Sequence, residues 1–546
     1  MPRRSSFTAT LGDETGGRLA GQLTLPAAAA ISIGLIDAAL IALGLGGARG
    51  SFEFVPARLW IVAPLTWMAV GAGFGVAFLP FTRSKLGLLV ATALAVTFIG
   101  IRLRTHPTLL IGALAVLAVL LGVVSRWVLR GTVAPRRSAT VTIFASAGVS
   151  ALLLIAPPSL ARPGPPASGA PGPNVILIFL DTVRYDALFD TSGRVHSDLP
   201  ALARLQSEST TFTRAYATSP WTLPSHLSVM TGLPADQLDV GFDDQVYSRD
   251  DATLAERFRG EGYRTAAVIS NSFLNAGSGF ARGFDTFHHA DSALDLCRTA
   301  PGLVAERYWP WFAAGVCNWT GSAVTRRALE VLDDKAAPVF LALNYMDAHD
   351  PYYVERSCGA GRGYRAAIVC LDRNLAPVLD WRSPRRPTML VVVGDHGEQF
   401  GEHGLERHGN SLYVQLLHVP LVIRTGAPVN VGMNATPVSI AEVPSLVGAI
   451  DTTSDGDRPV TALLHPPAAA NLPSEWSALD GSWHLIVRER GSDALYYLPT
   501  DPAEEHNIIS SQPSDPAIER LRAAIAEMRR SPRPDLGKFR SLGYIH

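Results

Sequence analysis

Residues 174–181 read NVILIFLD, and this stretch decides the fold of the second part of the chain. Six consecutive apolar residues follow Asn174, and the run ends at a carboxylate, Asp181. A short apolar run without alternation is typical of a strand that is buried on both faces. Active sites in parallel sheets lie beyond the carboxyl ends of such strands. We therefore expect Asp181 at the mouth of a functional site.

Three further runs predict buried strands of the same kind, at 265–270 (TAAVIS), 339–346 (VFLALNYM) and 389–393 (MLVVV). Between the strand runs, residues 199–209 and 253–262 have the apolar spacing of helices. Strands that alternate with helices predict an α/β fold with a mostly parallel central sheet.

The run at 389–393 leads into Gly394, Asp395 and His396, so a carboxylate and an imidazole follow a second strand. Carboxylate oxygens together with histidine nitrogens suit Zn²⁺ or Mn²⁺. One Asp after a strand is more often part of a turn or a helix cap. Two such strand ends in one domain favour a metal site instead.

Residues 219–232 (SPWTLPSHLSVMTG) predict a helix that begins at or beside Thr222 and ends at Gly232, with Pro224 in its first turn. The N–H groups at a helix N-terminus favour bound phosphate or sulfate. A hydroxyl at that place, next to a metal ion, can act as a nucleophile. Taken alone, Thr222 would be interpreted as an ordinary N-cap.

The first 160 residues are of a different kind. They hold 13 basic and 4 acidic residues, whereas the remainder holds 34 basic and 44 acidic residues. Five apolar runs occur there, at 25–45, 59–81, 86–101, 108–125 and 139–156. Most of these runs reach the length of about 20 residues that a bilayer requires, and they lack the polar face of helices in a soluble core. We predict a transmembrane domain of five helices over residues 1–156.

Basic residues orient this predicted domain. With the N-terminus inside, nine of them fall in cytoplasmic segments and four in outer loops, which agrees with the positive-inside rule. Residues 157–173 form a Pro-rich linker, and residues 174–546 then lie outside the cytoplasm as the catalytic domain. We expect a multi-pass protein of the plasma (inner) membrane. The near-equal totals of 47 basic and 48 acidic residues argue against a nucleic-acid partner.

All four cysteines lie in the predicted outer domain, at Cys297, Cys317, Cys358 and Cys370. An even number in an oxidising compartment predicts disulfides, and the pairs Cys297–Cys317 and Cys358–Cys370 close the shortest loops. A zinc site built from all four thiolates is the alternative, although no CxxC spacing supports it.

The outer domain resembles the sulfatase/alkaline-phosphatase superfamily. The matching motifs are NVILIFLDTVRYD (174–186), SPWTLPSHLSVMTG (219–232), GFDTF (283–287), NYMDAHDPY (344–352), GDHGEQFGEHG (394–404), HGNSLYVQLLHVPLVIR (408–424) and ALYYLPTDPAEEHN (494–507). A five-helix anchor with such a domain is similar to the phosphoethanolamine transferases and lipoteichoic-acid synthases of this superfamily. The resemblance implies an α/β sulfatase-like domain over about 174–510.

The resemblance also implies roles for individual residues. One divalent metal ion (Zn, Mn, Ca or Mg) would be held by Asp181, Thr222, Asp395 and His396. Thr222 aligns with the nucleophile of the family. His349 and His408 match positions that bind the transferred group or act on the leaving group.

Several departures from the family pattern change the expected chemistry. Sulfatases carry a Cys or Ser that is converted to formylglycine, and Thr222 cannot form that aldehyde. The usual Arg of the same motif is His226, and the second Asp of the usual Asp-Asp pair is Thr182. Lys335 and Lys538 are the only lysines of the outer domain. These departures favour phosphoester over sulfate-ester chemistry.

We therefore expect a membrane-anchored, metal-dependent hydrolase or phosphotransferase that acts on anionic esters of envelope lipid or polysaccharide, with membrane lipids nearby. Two alternatives remain open. One is a sulfuric ester hydrolase that works without formylglycine. The other is a non-catalytic envelope-assembly protein that keeps the fold.

Overall fold

A computed structural model of the chain describes residues 172–530, except for 272, 290–319, 333–336, 353, 360, 427–430, 449–457, 468–471 and 512–513. The five predicted membrane spans, most of the predicted linker, and Cys297 and Cys317 lie outside the described residues. In the parts that are described, no helix has both the length and the apolar character that a membrane crossing requires.

The described strands are β1 (Asn174–Leu180), β2 (Thr210–Tyr216), β3 (Arg264–Ile269), β4 (Thr286–His289), β5 (Val339–Tyr345), β6 (Thr388–Gly394), β7 (Gln399–Phe400), β8 (Glu406–Arg407), β9 (His418–Arg424), β10 (Gly432–Asn434), β11 (Val438–Ser439), β12 (Val460–Leu464), β13 (Glu475–Leu479), β14 (Trp483–Arg488) and β15 (Ala494–Tyr497). The described α-helices are α1 (Tyr185–Leu188), α2 (Pro200–Ser207), α3 (Thr222–Thr231), α4 (Leu254–Gly260), α5 (Gly321–Val331), α6 (Tyr364–Leu379), α7 (Val414–Leu417), α8 (Val443–Leu446) and α9 (Pro516–Arg530).

A large mixed sheet forms the centre of this domain, in the order β10-β2-β9-β6-β1-β5-β3-β4, with β11 also beside β2. Strand β1 pairs in parallel with both β5 and β6, and β3 pairs in parallel with β4 and β5. Only β9 runs antiparallel to its two neighbours in this sheet, β2 and β6, within the described residues. The predicted α/β fold with a mostly parallel sheet is therefore confirmed.

Both faces of β1 are covered, as its uninterrupted apolar run predicts. Residues 175, 177 and 179 pack into one core cluster, and residues 176, 178 and 180 pack into another on the opposite face. Each of these side chains contributes roughly 1.5–3 kcal/mol by leaving water. This burial holds the carboxyl end of β1 firmly in the middle of the sheet.

A second sheet of four antiparallel strands, β12-β13-β14-β15, follows in the chain. Helix α9 covers it through Ile518, Leu521 and Ile525, which pack against apolar residues of the sheet such as Trp476 and Leu485. The sequence analysis predicted neither this sheet nor its helix.

One predicted cysteine pair is present in the structure. Cys358 and Cys370 form a disulfide, which ties the loop after β5 to helix α6. Because these two thiols are oxidised to each other, the alternative of a zinc site made by all four cysteines is excluded.

Candidate active site

The carboxyl ends of β1, β5 and β6 lie side by side. Leu180 of β1 is paired with Tyr345 of β5 and with Gly394 of β6. The next residues of β1 and β6 are Asp181 and Asp395, so adjacent parallel strands place these two carboxylates next to each other. Both side chains are fully buried. The candidate residues therefore lie at the carboxyl ends of the central strands, as predicted.

Asp181, Asp395 and His396 form a cluster whose ligand atoms all lie within 4.8 Å of one another. His396 Nε2 is 3.3 Å from Asp395 Oδ2 and 4.0 Å from Asp181 Oδ1. Within the described part of the chain, these two carboxylate oxygens are buried and accept no hydrogen bond. Buried anionic oxygens without donors need a cation, so this cluster fits a divalent metal ion.

The other oxygen of each carboxylate is held by N–H donors. Asp395 Oδ1 accepts from the backbone N–H of Thr182 at 3.1 Å and of His396 at 2.8 Å. Asp181 Oδ2 accepts from the side-chain amides of Asn271 at 2.8 Å and Asn344 at 3.3 Å. These bonds orient each carboxylate so that its free oxygen faces the cluster.

His396 is fixed in the tautomer that a metal ligand requires. Its Nδ1–H donates to the carbonyl oxygen of Gly397 at 3.0 Å, which leaves the Nε2 lone pair directed at the two carboxylates. Burial and the neighbouring His408 hold the pKa of His396 well below its ordinary value. Burial and the negative charge of Asp181 raise the pKa of Asp395 well above its ordinary value. A bound cation would reduce the repulsion between the carboxylates of Asp181 and Asp395.

Thr222 is the first residue of α3, as predicted, and its side chain is buried. The Oγ1 atom is 3.4 Å from His396 Nε2 and accepts a hydrogen bond from the Asn271 amide at 3.3 Å. Helix α3 ends at Thr231, and the φ of 82° at the following Gly232 agrees with the predicted termination. The hydroxyl therefore lies beside the metal-ligand cluster and at a helix N-terminus.

His349 and His408 come from two different loops and meet above the cluster. Their ring centroids are 5.1 Å apart, and the ring of His408 is 4.6 Å from that of His396. Nδ1 of His349 bonds the carbonyl oxygen of Asp350 at 2.8 Å. Nδ1 of His408 bonds Glu398 at 2.9 Å. Within the described residues, the other nitrogen of each ring makes no hydrogen bond.

The structure thus brings together all six candidate side chains. It adds polar residues that the sequence analysis did not single out, namely Asn271, Asn344, Glu398 and Tyr352, the last of which donates to Glu398 at 3.2 Å. Asn271 follows β3 by two residues, so the rule that selected Asp181 would also have found it. Asn344 and Glu398 stand inside quoted motifs, where nothing in their residue type marked them as partners of other side chains.

Thr182 does not replace the missing second Asp as a ligand. Its hydroxyl donates to the carbonyl oxygens of Asp181 at 2.7 Å and Ala348 at 2.9 Å. These bonds join the β1 loop to the loop that carries His349. The cluster is therefore poorer in carboxylates than the usual family pattern.

Comparison with known proteins places this geometry in a family. The protein named "Uncharacterized sulfatase YidJ" from Escherichia coli strain K12 is 22% identical over 418 residues, which cover 62% of this chain and 83% of that protein. The solved structure of BT4656 in complex with its substrate D-glucosamine-2-N,6-O-disulfate aligns with a TM-score of 0.51 and 14% identity. It covers 66% of this chain and 98% of that one.

A further solved structure, concerned with the metabolism of multiple glycosaminoglycans by Bacteroides thetaiotaomicron, also has a TM-score of 0.51 and 14% identity. It covers 68% of this chain and 99% of that one. At such identities the alignments show a shared fold. A family model described as Sulfatase matches residues 173–448, slightly more than half of the 546 residues. The chain therefore belongs to the sulfatase family, whose members are hydrolases of sulfate or phosphate esters.

Proposed function

We propose that this protein is a membrane-anchored, metal-dependent hydrolase or phosphotransferase that acts on phosphoesters of envelope lipid or polysaccharide through Thr222. The position of the Thr222 hydroxyl carries this proposal. It lies at the N-terminus of α3, 3.4 Å from the ligand nitrogen of His396. A helix N-terminus stabilises an anionic group, and this hydroxyl is the nucleophile available there.

The proposed reaction consists of two displacements. In the first, Thr222 reacts as the alkoxide after its proton has passed to solvent. Oγ1 attacks phosphorus, the bond to the leaving alcohol breaks, and a protonated His408 or His349 gives that leaving oxygen its proton. In the second, water or an acceptor hydroxyl attacks phosphorus of the phosphothreonine and gives its proton to the neutral imidazole. The bond from phosphorus to Oγ1 breaks, and Thr222 leaves as the alkoxide with which the cycle began. A divalent ion held by Asp181, Asp395 and His396 would polarise the ester oxygens and lower the pKa of the Thr222 hydroxyl.

Two features support phosphoesters over sulfate esters. Thr222 cannot be converted to the formylglycine of sulfatases, and the described part of the chain contains no lysine to bind a sulfate group. A sulfuric ester hydrolase that uses Thr222 directly is the second candidate, because the family match also covers sulfate-ester hydrolases. A non-catalytic role is less well supported, because the proposed nucleophile, the proposed metal ligands, His349 and His408 all lie close together.

The proposed location is the outer face of the plasma (inner) membrane. Apolar runs and basic residues in 1–156 support five spans with a cytoplasmic N-terminus. The Cys358–Cys370 disulfide supports an oxidising compartment for the catalytic domain. An enzyme anchored there would meet lipid-linked anionic esters at the membrane surface.

The test uses full-length protein purified in detergent with its metal. We expect turnover of p-nitrophenyl esters of phosphate or phosphonate, and loss of at least 10³-fold in kcat for Thr222→Val, which keeps the shape but removes the hydroxyl. Thr222→Ser is the matched control and should retain measurable activity with a phosphoserine detectable by mass spectrometry. A lipid-donor assay must run in parallel, because a transferase can be silent on soluble esters.

Other outcomes separate the alternatives. Turnover of sulfate esters alone would support the sulfuric ester hydrolase. No turnover of any ester or lipid donor, together with no bound metal, would support the non-catalytic protein. A reporter fused after Gly172 tests the topology, since activity in the cytoplasm would overturn the five-span prediction.

A further inference from the structure

His226 occupies the position at which the family motif usually has an arginine. Its side chain is fully buried. The ring stacks on Phe179, with centroids 4.2 Å apart, and meets the edge of Phe280 at 5.9 Å. An arginine at this position would carry a permanent positive charge, whereas an imidazole need not. The contacts of His226 therefore decide how the neighbouring polar groups are held.

The orientation of Asn344 determines what His226 can do. Asn344 Oδ1 accepts from the backbone N–H of Ser270 at 3.2 Å and of Asn271 at 2.9 Å. An oxygen that accepts two N–H groups fixes the amide, so Nδ2 lies on the opposite side. The hydrogens of Nδ2 then point to Asp181 Oδ2 at 3.3 Å and to His226 Nε2 at 3.2 Å.

Because His226 Nε2 faces an N–H donor, it must be the nitrogen that accepts. The ring is consequently neutral, and its proton is on Nδ1. That Nδ1–H donates to the carbonyl oxygen of Thr222 at 2.9 Å and lies 3.4 Å from Asp395 Oδ2. A nitrogen that carries this proton has no lone pair to offer, so Nδ1 of His226 is not a metal ligand.

We propose that His226 is a positioning residue, which fixes the first turn of α3 beside the metal-binding carboxylate of Asp395 through its Nδ1–H. The bond to the Thr222 carbonyl fixes the residue that carries the proposed nucleophile. Nδ1 also lies 3.4 Å from the metal-facing oxygen of Asp395, which accepts no hydrogen bond among the described residues, and the neutral ring adds no formal charge there.

This arrangement leaves the positive charge of the site to the metal ion. Among the described residues, the ion-pair partners of Asp181 and Asp395 are histidines rather than arginines or lysines. An arginine in place of His226 would add a fixed charge beside the ion and weaken its binding. The role in positioning Thr222 rests on the proposed function, whereas the role toward the metal does not.

The test compares three variants of the full-length protein. His226→Asn places an amide N–H where Nδ1–H lies, His226→Gln places it near Nε2, and His226→Leu removes it. We measure Mn²⁺ affinity from the EPR signal of the free ion, together with kcat and KM. Loss of such an outer partner typically costs about 10–100-fold in metal affinity or activity. We expect that loss for Leu and Gln, and rescue to within about threefold for Asn.

A spectroscopic readout tests the same inference without any substitution. Long-range ¹H–¹⁵N correlation spectra of ¹⁵N-histidine-labelled wild-type protein should show the Nδ1–H tautomer for His226, assigned by comparison with His226→Asn. An Nε2–H tautomer or a charged ring would overturn the proposal, as would wild-type Mn²⁺ affinity in folded His226→Leu. Equal losses in the Asn and Leu variants would also overturn it. None of these outcomes depends on Thr222 being the nucleophile, which Thr222→Val tests separately.

Discussion

Asp181 and Asp395 each have one carboxylate oxygen held by N–H donors and one that faces the ligand nitrogen of His396. The donors come from the backbone and from two asparagines, which carry no charge. Residue types that ligate metals or act as nucleophiles could be picked out from the sequence, because they stand at strand ends and at a helix start. Asn271, two residues after β3, could have been found by the same rule, whereas Asn344 could not, since its residue type alone does not show which oxygen its amide faces.

Glu398 is predicted to hold His408 for proton transfer. It is fully buried, and its Oε1 is 2.9 Å from His408 Nδ1. In Glu398→Gln the amide oxygen still accepts a hydrogen bond, but the negative charge that orients and stabilises the imidazole is lost. We expect kcat to fall about 10–100-fold with little change in KM, measured on the ester that wild-type protein turns over.

Glu402→Gln is the matched control for this change. Glu402 lies four residues further along the chain, and its carboxylate pairs with Arg184 at 2.6 Å instead of with a histidine. Its variant should keep kcat within about threefold. Equal losses in both variants would mean that loop stability, and not the carboxylate beside His408, accounts for the effect.

Asp347 makes the stability of the domain depend on pH. Burial raises its pKa to about 7, against 3.8 ordinarily, and the nearby Glu355 carboxylate adds to the rise although Asn374 donates to Asp347 at 2.8 Å. The folded chain thus retains a proton that the unfolded chain releases. The stabilisation is fully present below about pH 4 and is lost as pH rises through about 7. At one pKa unit per 1.36 kcal/mol, the loss amounts to up to about 4 kcal/mol.

Asp347→Asn should remove this dependence. We expect the melting temperature of the variant to exceed that of wild type at pH 8, with a smaller difference at pH 5, in thermal unfolding followed by circular dichroism. The exposed Asp198, paired with Arg365, is the control, and Asp198→Asn should leave the wild-type pH profile unchanged. A parallel shift of the Asp347→Asn profile at every pH would contradict the assignment of the proton to Asp347.

Among the elements, the strands that lie at the middle of the sheet could be predicted closely. Predicted bounds for β1 agree with the structure. Those for β5 differ by one residue at one end, and those for β3 and β6 differ by one residue at both ends. Each is a continuous apolar run because both of its faces are buried. Strand β2 reads TTFTRAY, and its pairing register shifts between Phe212 and Ala215. Its sequence therefore shows neither a continuous apolar run nor a regular alternation from which a strand could be predicted.

Gly397 shows how closely the loop after β6 must pack. Its N–H donates to the carbonyl of Leu416 in α7 at 2.8 Å. A Cβ at Gly397 would collide with the carbonyl oxygen of Gln415, also in α7. Gly397→Ala should therefore shift the loop that carries Asp395 and His396, and lower Mn²⁺ affinity by at least tenfold.

Gly260→Ala provides the control for this substitution. Gly260 is the last residue of α4, and a Cβ there meets open space. Alanine is favoured over glycine in helices by up to about 1 kcal/mol, so this variant should be neutral or slightly stabilised. Wild-type Mn²⁺ affinity in Gly397→Ala would show that the loop tolerates the displacement without moving its ligands.

At the scale of the whole molecule, the local sequence does not predict strands whose burial depends on segments far away in the chain. The strands β12 to β15 become a sheet with a covered face because α9 packs on it from the end of the described chain. Their sequences are short and mix polar with apolar residues, so the local pattern is weak. The central sheet can be predicted without knowing what packs on it, because its middle strands are continuous apolar runs.

Metal removal should destabilise the whole catalytic domain, because the ligand cluster joins β1 to β6 in the middle of the central sheet. Without a cation, the buried carboxylates of Asp181 and Asp395 repel each other, and one of them must take up a proton. Binding to the folded state alone contributes about 4 kcal/mol when the free metal is at 1,000 times Kd. For a domain of about 370 residues, with an unfolding entropy of about 2.1 cal/mol/K per residue, that corresponds to a fall of roughly 5 °C in melting temperature on chelation.

Thermal unfolding of the full-length protein, with and without EDTA, measures this effect, and added Mn²⁺ or Zn²⁺ should restore the original melting temperature. Asp395→Asn removes one of the two charges and one ligand, so its melting temperature should respond little to chelation. Protons compete with the metal for the same carboxylates and imidazole, so restoration should require more metal at pH 5 than at pH 8. An unchanged wild-type melting temperature after verified metal loss would contradict this account, since it would mean that the paired carboxylates are already neutralised within the metal-free fold.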